Sequence, residues 1–350
     1  MESWEMCREE IVELLIEYTL TPDLFEKYDL RILDIIPKRG VYRIETDKGC
    51  KCLKRIKYEE ENLYFIHQAI EHLVEKGFTK VSRIRRTKDG HLFLRYGEHA
   101  YVVMDWIDGR ECDFENPIEL DRAVKVLTEF HHTSKGFIPQ FSLPHRWMLG
   151  KWPQVYEARS RELLYMKGIV EEKEEKNQFD HIFLKYVDYY YTQSLEAIEA
   201  LKNFDYDGLV EKAREEKGFC HNDYAHHNIL ISYDNRDLAV LDFDYCLIDL
   251  RINDIADLIH RNLKKSMWDI ERAEFVLNSY HRNSPLSDDE KKGIYAHLLF
   301  PRDFWRIASQ HYIEKKVWSE ETYLGKIIEK AECKELREDF LKAFKKMTRM

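Results

Sequence analysis

The chain is 350 residues long and carries a net charge of −10, with 44% hydrophobic and 34% charged residues. This composition is sufficient for a substantial core and argues against a disordered chain. The sequence contains no strongly basic stretch and no apolar run near the roughly 18 residues that span a bilayer, so neither nucleic-acid binding nor a membrane span is expected.

Residues 1–28 are predicted to form a helical extension. The stretches 4–18 and 22–28 have helical spacing, and the acidic residues within the first stretch are unlike a signal peptide. Seven scattered cysteines lack zinc-ligand spacing, which indicates reduced thiols in a protein made in the cytosol.

After this extension the hydrophobic pattern changes to a period of two, interrupted by turn sequences at 37–40 and 47–49. A helix with one apolar face is predicted over 59–76, and Gly77 ends it. The predicted strands, in chain order, cover residues 31–36, 41–46, 50–56, 92–95 and 100–105. Five antiparallel strands and one helix predict a small α+β lobe over residues 1–105.

The rest of the chain is predicted to form a larger, mainly helical lobe over residues 106–350. The predicted helices, in chain order, cover residues 117–134, 154–168, 178–202, 207–214, 253–264, 268–281, 288–313 and 320–346. The stretch 228–244 interrupts them with two short apolar runs around a turn at 234–237, which predicts a β-hairpin. Two lobes predict a ligand-binding cleft between them.

Three oxygen-bearing side chains carry the predicted chemistry. The spacing H-x-D-x-x-x-x-N, from His221 through Asp223 to Asn228, places a carboxylate and an amide on one loop. The hairpin then returns the chain so that Asp242 can face the same metal ion. Phosphoryl transfer needs a carboxylate to orient or deprotonate the attacking hydroxyl, together with oxygen ligands for Mg²⁺. The pattern therefore predicts a phosphoryl-transfer centre.

This segment resembles the catalytic loop and metal-binding aspartate of aminoglycoside phosphotransferases, choline kinases and, more distantly, protein kinases. The resemblance implies a two-lobed, protein-kinase-like fold and ATP- and Mg²⁺-dependent transfer to a small molecule with a hydroxyl or amine group. It implies that Asp223 is the catalytic base and that Asn228 and Asp242 bind the metal. It also implies that His221 braces the loop and that Asp254 caps the N-terminus of a later helix.

The order of other elements extends the resemblance to the nucleotide. Lys54 lies on the third predicted strand, where kinases keep the lysine that contacts the α- and β-phosphates. Met104, Asp105 and Ile107 fall at the predicted junction of the lobes, where extended backbone of kinases hydrogen-bonds adenine. The resemblance therefore implies that these four residues bind ATP.

Three features depart from the kinase pattern or leave it open. The turn at 37–40 contains one glycine, unlike a full phosphate-binding loop. Glu61 is the candidate for the glutamate that pairs with Lys54. Asp244 fits a surface carboxylate and a metal contact equally well. Asn253 lies only eleven positions after Asp242, too close for a protein-kinase activation segment to fit between them, which disfavours a protein substrate docked in that manner.

The amino-acid sequence from His221 to Arg261, with the run Asp242-Phe243-Asp244, is similar to that of the CotS-type spore coat proteins of spore-forming bacteria. That resemblance implies synthesis in the mother-cell cytoplasm, deposition in the spore coat and other coat proteins as partners. It leaves a second hypothesis open, a structural coat protein whose kinase fold is catalytically weak or inactive.

A zinc site is the other alternative at this loop. His226 and His227 could bind zinc together with His221 and Asp223, although a hydrolase would need a further ligand.

Overall fold

The computed structural model describes residue 20 and residues 22–38, 40–265 and 268–348, so the helix predicted over 4–18 lies outside the described residues. Spatial proximity divides the chain into two compact units. Unit 1 comprises Met1–Cys112, Phe137–Leu143 and His226–Cys246, and unit 2 comprises Asp113–Gly136, Pro144–Ala225 and Leu247–Met350. Proximity thus groups the hairpin with the N-terminal sheet. The predicted functional lobes, 1–105 and 106–350, stay a prediction.

Unit 1 is built on two antiparallel sheets. A six-stranded sheet has the strand order β1-β2-β3-β6-β4, with β5 also paired to β6, and a three-stranded sheet has the order β7-β8-β9. The elements are α1 (Pro22–Glu26), β1 (Ile32–Lys38), β2 (Val41–Thr46), β3 (Lys51–Ile56), α2 (Glu60–Glu75), β4 (Ile84–Arg85), β5 (Leu94–Tyr96), β6 (His99–Asp105), β7 (Arg110–Glu111), β8 (Ile229–Ile231) and β9 (Leu238–Val240). The five predicted strands, the helix and the hairpin are confirmed with small shifts of their ends, and the two-residue strands β4 and β7 were not predicted.

Alternation along the strands positions the lysine of the predicted site. Leu53 on β3 pairs with Val103 on β6, and both side chains are fully buried in a core with Ile44. Because successive strand residues point to opposite faces of the sheet, the side chain of Lys54 points to the face opposite Leu53.

The predicted end of the helix at Gly77 is confirmed. Gly77 has a φ of 95°, a conformation in which other residues are strained, and α2 ends just before it.

Unit 2 is helical. Its helices are α3 (Pro117–Thr133), α4 (Trp152–Glu171), α5 (Gln178–Leu201), α6 (Tyr206–Glu216), α7 (Ile252–Lys265), α8 (Ile270–Asn283), α9 (Asp288–Leu299), α10 (Arg302–Tyr312), α11 (Glu320–Glu332) and α12 (Lys334–Met347). The aromatic ring of Phe304 on α10 stacks on Phe183 and Tyr190 of α5, with centroid distances of 5.6 and 4.2 Å. None of the described helices combines the length and the apolar composition needed to cross a membrane.

Two predicted helices are wrong in their continuity. The helix predicted over 288–313 is two helices, because Phe300 is extended and Pro301, which follows it, has no N–H for the helical hydrogen bond. The helix predicted over 320–346 is interrupted at Cys333. The apolar period continues through both breaks, which is why the pattern alone predicted single helices.

Candidate active site

A lysine between two aspartates is the main cluster of charge in the predicted nucleotide site. The Nζ of Lys54 lies 2.7 Å from Oδ1 of Asp242 and 2.8 Å from Oδ2 of Asp244. Burial alone lowers the pKa of Lys54, but Asp244 and Asp242 together raise it above its ordinary value, so the ammonium group stays charged. Burial raises the pKa of Asp244 against the opposing effect of Lys54, and the Tyr58 hydroxyl donates to this carboxylate at 3.2 Å.

The hairpin fixes two of the predicted metal ligands at one end. Ile229 on β8 pairs with Val240 on β9, and the N–H of Leu241 donates to the carbonyl of Asn228 at 2.8 Å. Asn228 is buried, and Asp242 has a φ of 60°, in the left-handed region that Asp tolerates better than most residues. An amide and a carboxylate, both oxygen donors of the type that Mg²⁺ prefers, therefore belong to adjacent ends of the hairpin strands.

These charged residues line a cavity of about 910 Å³ within unit 1. Lys54, Asn228, Asp242 and Asp244 all contribute to its lining. Pockets of this size, with apolar walls and a few polar groups, are typical of small-molecule sites. The apolar part of the lining includes Val41, Leu63, Ile66, Ile84, Val102 and Leu241.

The predicted adenine-binding residues Met104, Asp105 and Ile107 line the same cavity. The N–H of Asp105 donates to the carbonyl of Arg83 at 2.9 Å, and the Asp105 carbonyl accepts from the Ser82 hydroxyl at 2.6 Å. The backbone of Ile107 forms no hydrogen bond with any residue in the described ranges. Ile107 therefore keeps a donor and an acceptor for a ligand, whereas the Asp105 N–H is already used.

The pairing of Glu61 with Lys54 is a prediction that the structure corrects. Glu61 is an exposed residue in the first turn of α2, whose neighbouring buried positions belong to Asn62 and Leu63. Within the described part of the chain, the ion pairs of Lys54 are those with Asp242 and Asp244. The lysine therefore obtains its counter-charges from the segment after the hairpin and not from the helix.

In unit 2, the backbone of the predicted catalytic loop is held by a buried aspartate. The carboxylate of Asp254 accepts the N–H groups of His221 and Asn222, both at 2.7 Å, and lies 3.1 Å from Nε2 of His131. Asp254 is the third residue of α7 and binds these amides in place of the predicted helix cap. The fully buried His221 accepts the N–H of Asp223 through Nδ1 at 3.3 Å. These bonds constrain the first three residues of the loop, including Asp223.

The carboxylate of Asp223 forms an ion pair that the sequence did not predict. Nη2 of Arg261, on α7, lies 2.5 Å from Oδ1 of Asp223. The Asp223 side chain is 20% exposed, so an approaching ligand can still reach it. In the sequence, Arg261 lies two helical turns after Asp254 and one turn after Asp257 on α7. This spacing does not identify Asp223 as its partner.

The zinc alternative finds no support in the geometry. Among the described residues, the cluster with metal-ligand spacing is His131, Cys220 and Asp254, without His226 or His227. All three of its members already have hydrogen-bond partners: His131 binds Tyr280 and Asp254, and the Cys220 thiol donates to two backbone carbonyls. This cluster therefore serves to hold the loop.

Solved structures with a similar fold are small-molecule phosphotransferases. An aminoglycoside phosphotransferase from Alicyclobacillus acidocaldarius subsp. acidocaldarius DSM 446 gives a TM-score of 0.80 at 24% identity, covering 94% of this chain and 97% of that one. The spectinomycin phosphotransferase APH(9)-Ia, solved with ADP and spectinomycin, gives a TM-score of 0.60 at 14% identity, covering 94% and 97% of the two chains. The chain thus has the fold of the kinase-like phosphotransferases, which confirms the predicted fold class.

Sequence comparison is more specific. A family profile described as "Spore coat putative kinase YutH" matches residues 21–344. Spore coat protein S of Bacillus subtilis (strain 168) is 28% identical over 308 residues, which are 87% of this chain and 86% of that protein. The chain belongs to this family of kinase-like spore coat proteins, and the predicted family is confirmed.

Proposed function

We propose that the protein is an ATP- and Mg²⁺-dependent phosphotransferase of the spore coat, acting on a small molecule with a hydroxyl or amine group. One observation carries the proposal: a charged lysine held by Asp242 and Asp244 in a large cavity that Asn228 also lines. Nucleotide phosphates need a cation together with oxygen ligands for a metal ion, and this cavity offers both.

Each residue has a role in this scheme. Lys54 would bind the α- and β-phosphates, with the backbone of Ile107 available to adenine. Asn228 and Asp242 would hold Mg²⁺, which offsets the negative charge of the phosphates. Asp223 would orient the acceptor group and take its proton as that group bonds to the γ-phosphorus and the bond to ADP breaks.

His221 would act as a positioning residue for Asp223, because it is fully buried and bonded to the loop backbone. Its burial leaves it no direct contact with an acceptor.

The coat location of the proposed enzyme is supported by its family and by the name of its Bacillus subtilis relative. A structural coat protein with an inactive kinase fold is the second candidate. The pairing of Asp223 with Arg261 favours it, since a carboxylate already bound by a guanidinium is less available to hydrogen-bond an acceptor.

Nucleotide binding separates the two candidates. A ligand that binds only the folded state stabilises it by about 2.7 kcal/mol at 100 times its Kd. We expect Mg-ATP to stabilise the wild type in chemical denaturation and to lose this effect in Lys54→Met. The matched control is Lys80→Met, which removes an exposed lysine paired with Asp237 at 2.6 Å in the same unit. No stabilisation by millimolar Mg-ATP in the wild type would support the structural candidate.

Turnover tests the assigned base. ADP release should be measured with pools of hydroxyl- and amine-bearing small molecules. Asp223→Asn should abolish the acceptor-dependent release while keeping the Mg-ATP stabilisation, because the proposed nucleotide residues are untouched. An Asp223→Asn protein with full acceptor-dependent turnover would exclude this residue as the base.

A further inference from the structure

Unit 2 contains an arginine, Arg159, whose guanidinium group has no acceptor among the residues that the structure describes. Arg159 on α4 stacks on Trp305 of α10, with its Cζ 4.3 Å from the ring centre. The side chain is half-buried, yet it forms no hydrogen bond or ion pair with any residue in the described ranges. A guanidinium has five N–H donors, and the nitrogens of Arg159 are accessible to solvent, so an anionic ligand can reach and accept from them.

The surroundings of Arg159 carry an excess of positive charge. Arg302 and Arg306, one turn apart on α10, lie close enough to repel it. Burial, followed by these two arginines, lowers the pKa of Arg159 to about 10 against the opposing effects of Tyr156 and Glu162. Arg306 is exposed and has no ion-pair partner within the described part of the chain.

The negative charges near this cluster already have partners. Asp257 is buried and pairs with Arg302, with His297 a further 3.4 Å contact. Glu162 accepts a hydrogen bond from Nε1 of Trp305 at 2.6 Å. Glu162 also attracts Arg159, so the three arginines exceed these two carboxylates by one positive charge, which an added anion would complement.

The cluster is electrostatically connected to the predicted catalytic base. Asp257, which pairs with Arg302, also interacts with Arg261. Arg261 in turn binds Asp223 at 2.5 Å. A continuous series of charged side chains within unit 2 thus leads from the arginine cluster to Asp223.

We infer that Arg159 and Arg306, with Trp305 beneath the first guanidinium, bind an oxyanion of the phosphoryl acceptor. The acceptor is then a small hydroxyl- or amine-bearing molecule with a carboxylate or phosphate group, because a planar guanidinium binds both oxyanions through paired N–H donors. The same charges repel polycationic acceptors. This assignment of the substrate class rests on the proposed phosphotransferase function.

Anion binding without nucleotide tests the site directly. The probes are inorganic phosphate and succinate, each titrated calorimetrically. The ionic strength is kept constant so that charge screening is equal in the two titrations, and comparison of the two affinities distinguishes phosphate from carboxylate. We expect Arg159→Gln and Arg306→Gln each to weaken binding of the preferred probe at least tenfold. Arg161→Gln should leave it unchanged, because Arg161 is an exposed residue of the same helix, 3.9 Å from Glu157.

Further variants locate the bound anion and check the fold. Lys54→Met should also retain binding, since Lys54 belongs to the proposed nucleotide site. Loss of binding in Lys54→Met with full binding in Arg159→Gln would overturn the inference by placing the anion at the nucleotide site. Because the Arg306 side chain is exposed, Arg306→Gln keeps the test valid if Arg159→Gln unfolds.

Mg-ATP stabilisation, measured on the same proteins, separates the two proposals. If Mg-ATP stabilises the wild type but neither probe binds, or both probes bind Arg159→Gln as tightly as the wild type, the oxyanion site is refuted and the phosphotransferase proposal stands. If binding depends on Arg159 and Mg-ATP gives no stabilisation, the oxyanion site is supported and its role in phosphoryl transfer is refuted.

Discussion

Replacing Asp254 by Asn should loosen the predicted catalytic loop without affecting the proposed nucleotide site. The carboxylate is fully buried and has three partners: the backbone N–H groups of His221 and Asn222 at 2.7 Å and Nε2 of His131 at 3.1 Å. An asparagine at this position has one oxygen for the two amides. Its NH₂ group can satisfy only His131, and then only if the imidazole changes its tautomer.

The expected loss of stability follows from these partners. One buried loop amide is left without an acceptor, which costs about 1–3 kcal/mol. The other amide exchanges a charged acceptor for a neutral one, which costs about 1 kcal/mol more. Asp254→Asn should therefore lower the free energy of unfolding by about 3 kcal/mol.

Urea denaturation of the variant and the wild type measures this difference. Asp188→Asn is the matched control, because Asp188 is an exposed carboxylate paired with Lys167 at 2.7 Å, and its loss should change stability by less than about 0.5 kcal/mol. Mg-ATP should still stabilise the Asp254→Asn protein, since the proposed nucleotide residues lie in unit 1. A loss below about 1 kcal/mol would refute the view that Asp254 holds the loop.

Two further predictions concern other carboxylates. Burial raises the pKa of Asp249 to about 7, so the folded state keeps a proton that the unfolded state loses near pH 4, and stability falls as the pH rises between these values. Asp249→Asn should remove this fall, so that in urea denaturation its stability relative to the wild type rises by about 3 kcal/mol between pH 5 and pH 8. The same pH dependence in both proteins would contradict this prediction. Glu61→Gln should leave the Kd for Mg-ATP within about twofold, whereas Asp244→Asn should weaken it about tenfold, as measured by calorimetry. The reverse order would restore Glu61 as the partner of the nucleotide lysine.

The sequence predicted those parts of the fold that depend on local patterns. Strand alternation predicted β1 to β3. The spacing of Asn228 and Asp242 around a hairpin predicted both residues at its ends, where a hydrogen bond from the N–H of Leu241 to the carbonyl of Asn228 joins the two strands. These features are set by residues near one another in the chain. The breaks at Pro301 and Cys333 were missed because an apolar period can continue across a change of helix.

Contacts between distant residues were beyond local reasoning. The Nζ of Lys54 contacts a carboxylate 188 positions later in the chain, whereas the only support for Glu61 as its partner is the position of Glu61 in the helix that follows the strand. Arg261 and Arg159 have no motif, so their roles depend on which side chains packing brings beside them. The folded chain alone distinguishes a paired arginine from one without an acceptor.

The energetic cost of the cavity residues bears on whether the chain is an enzyme or an inert coat component. Asp242 has a left-handed backbone, two carboxylates converge on the single ammonium of Lys54, and burial raises the pKa of Asp244. Strained backbone and buried charge reduce stability relative to a relaxed, apolar alternative. A scaffold would lose nothing if this cavity were filled by hydrophobic residues, whereas phosphate and metal binding require its charges. The cost therefore favours a ligand-binding role and, with Asp223 five residues before Asn228, phosphoryl transfer.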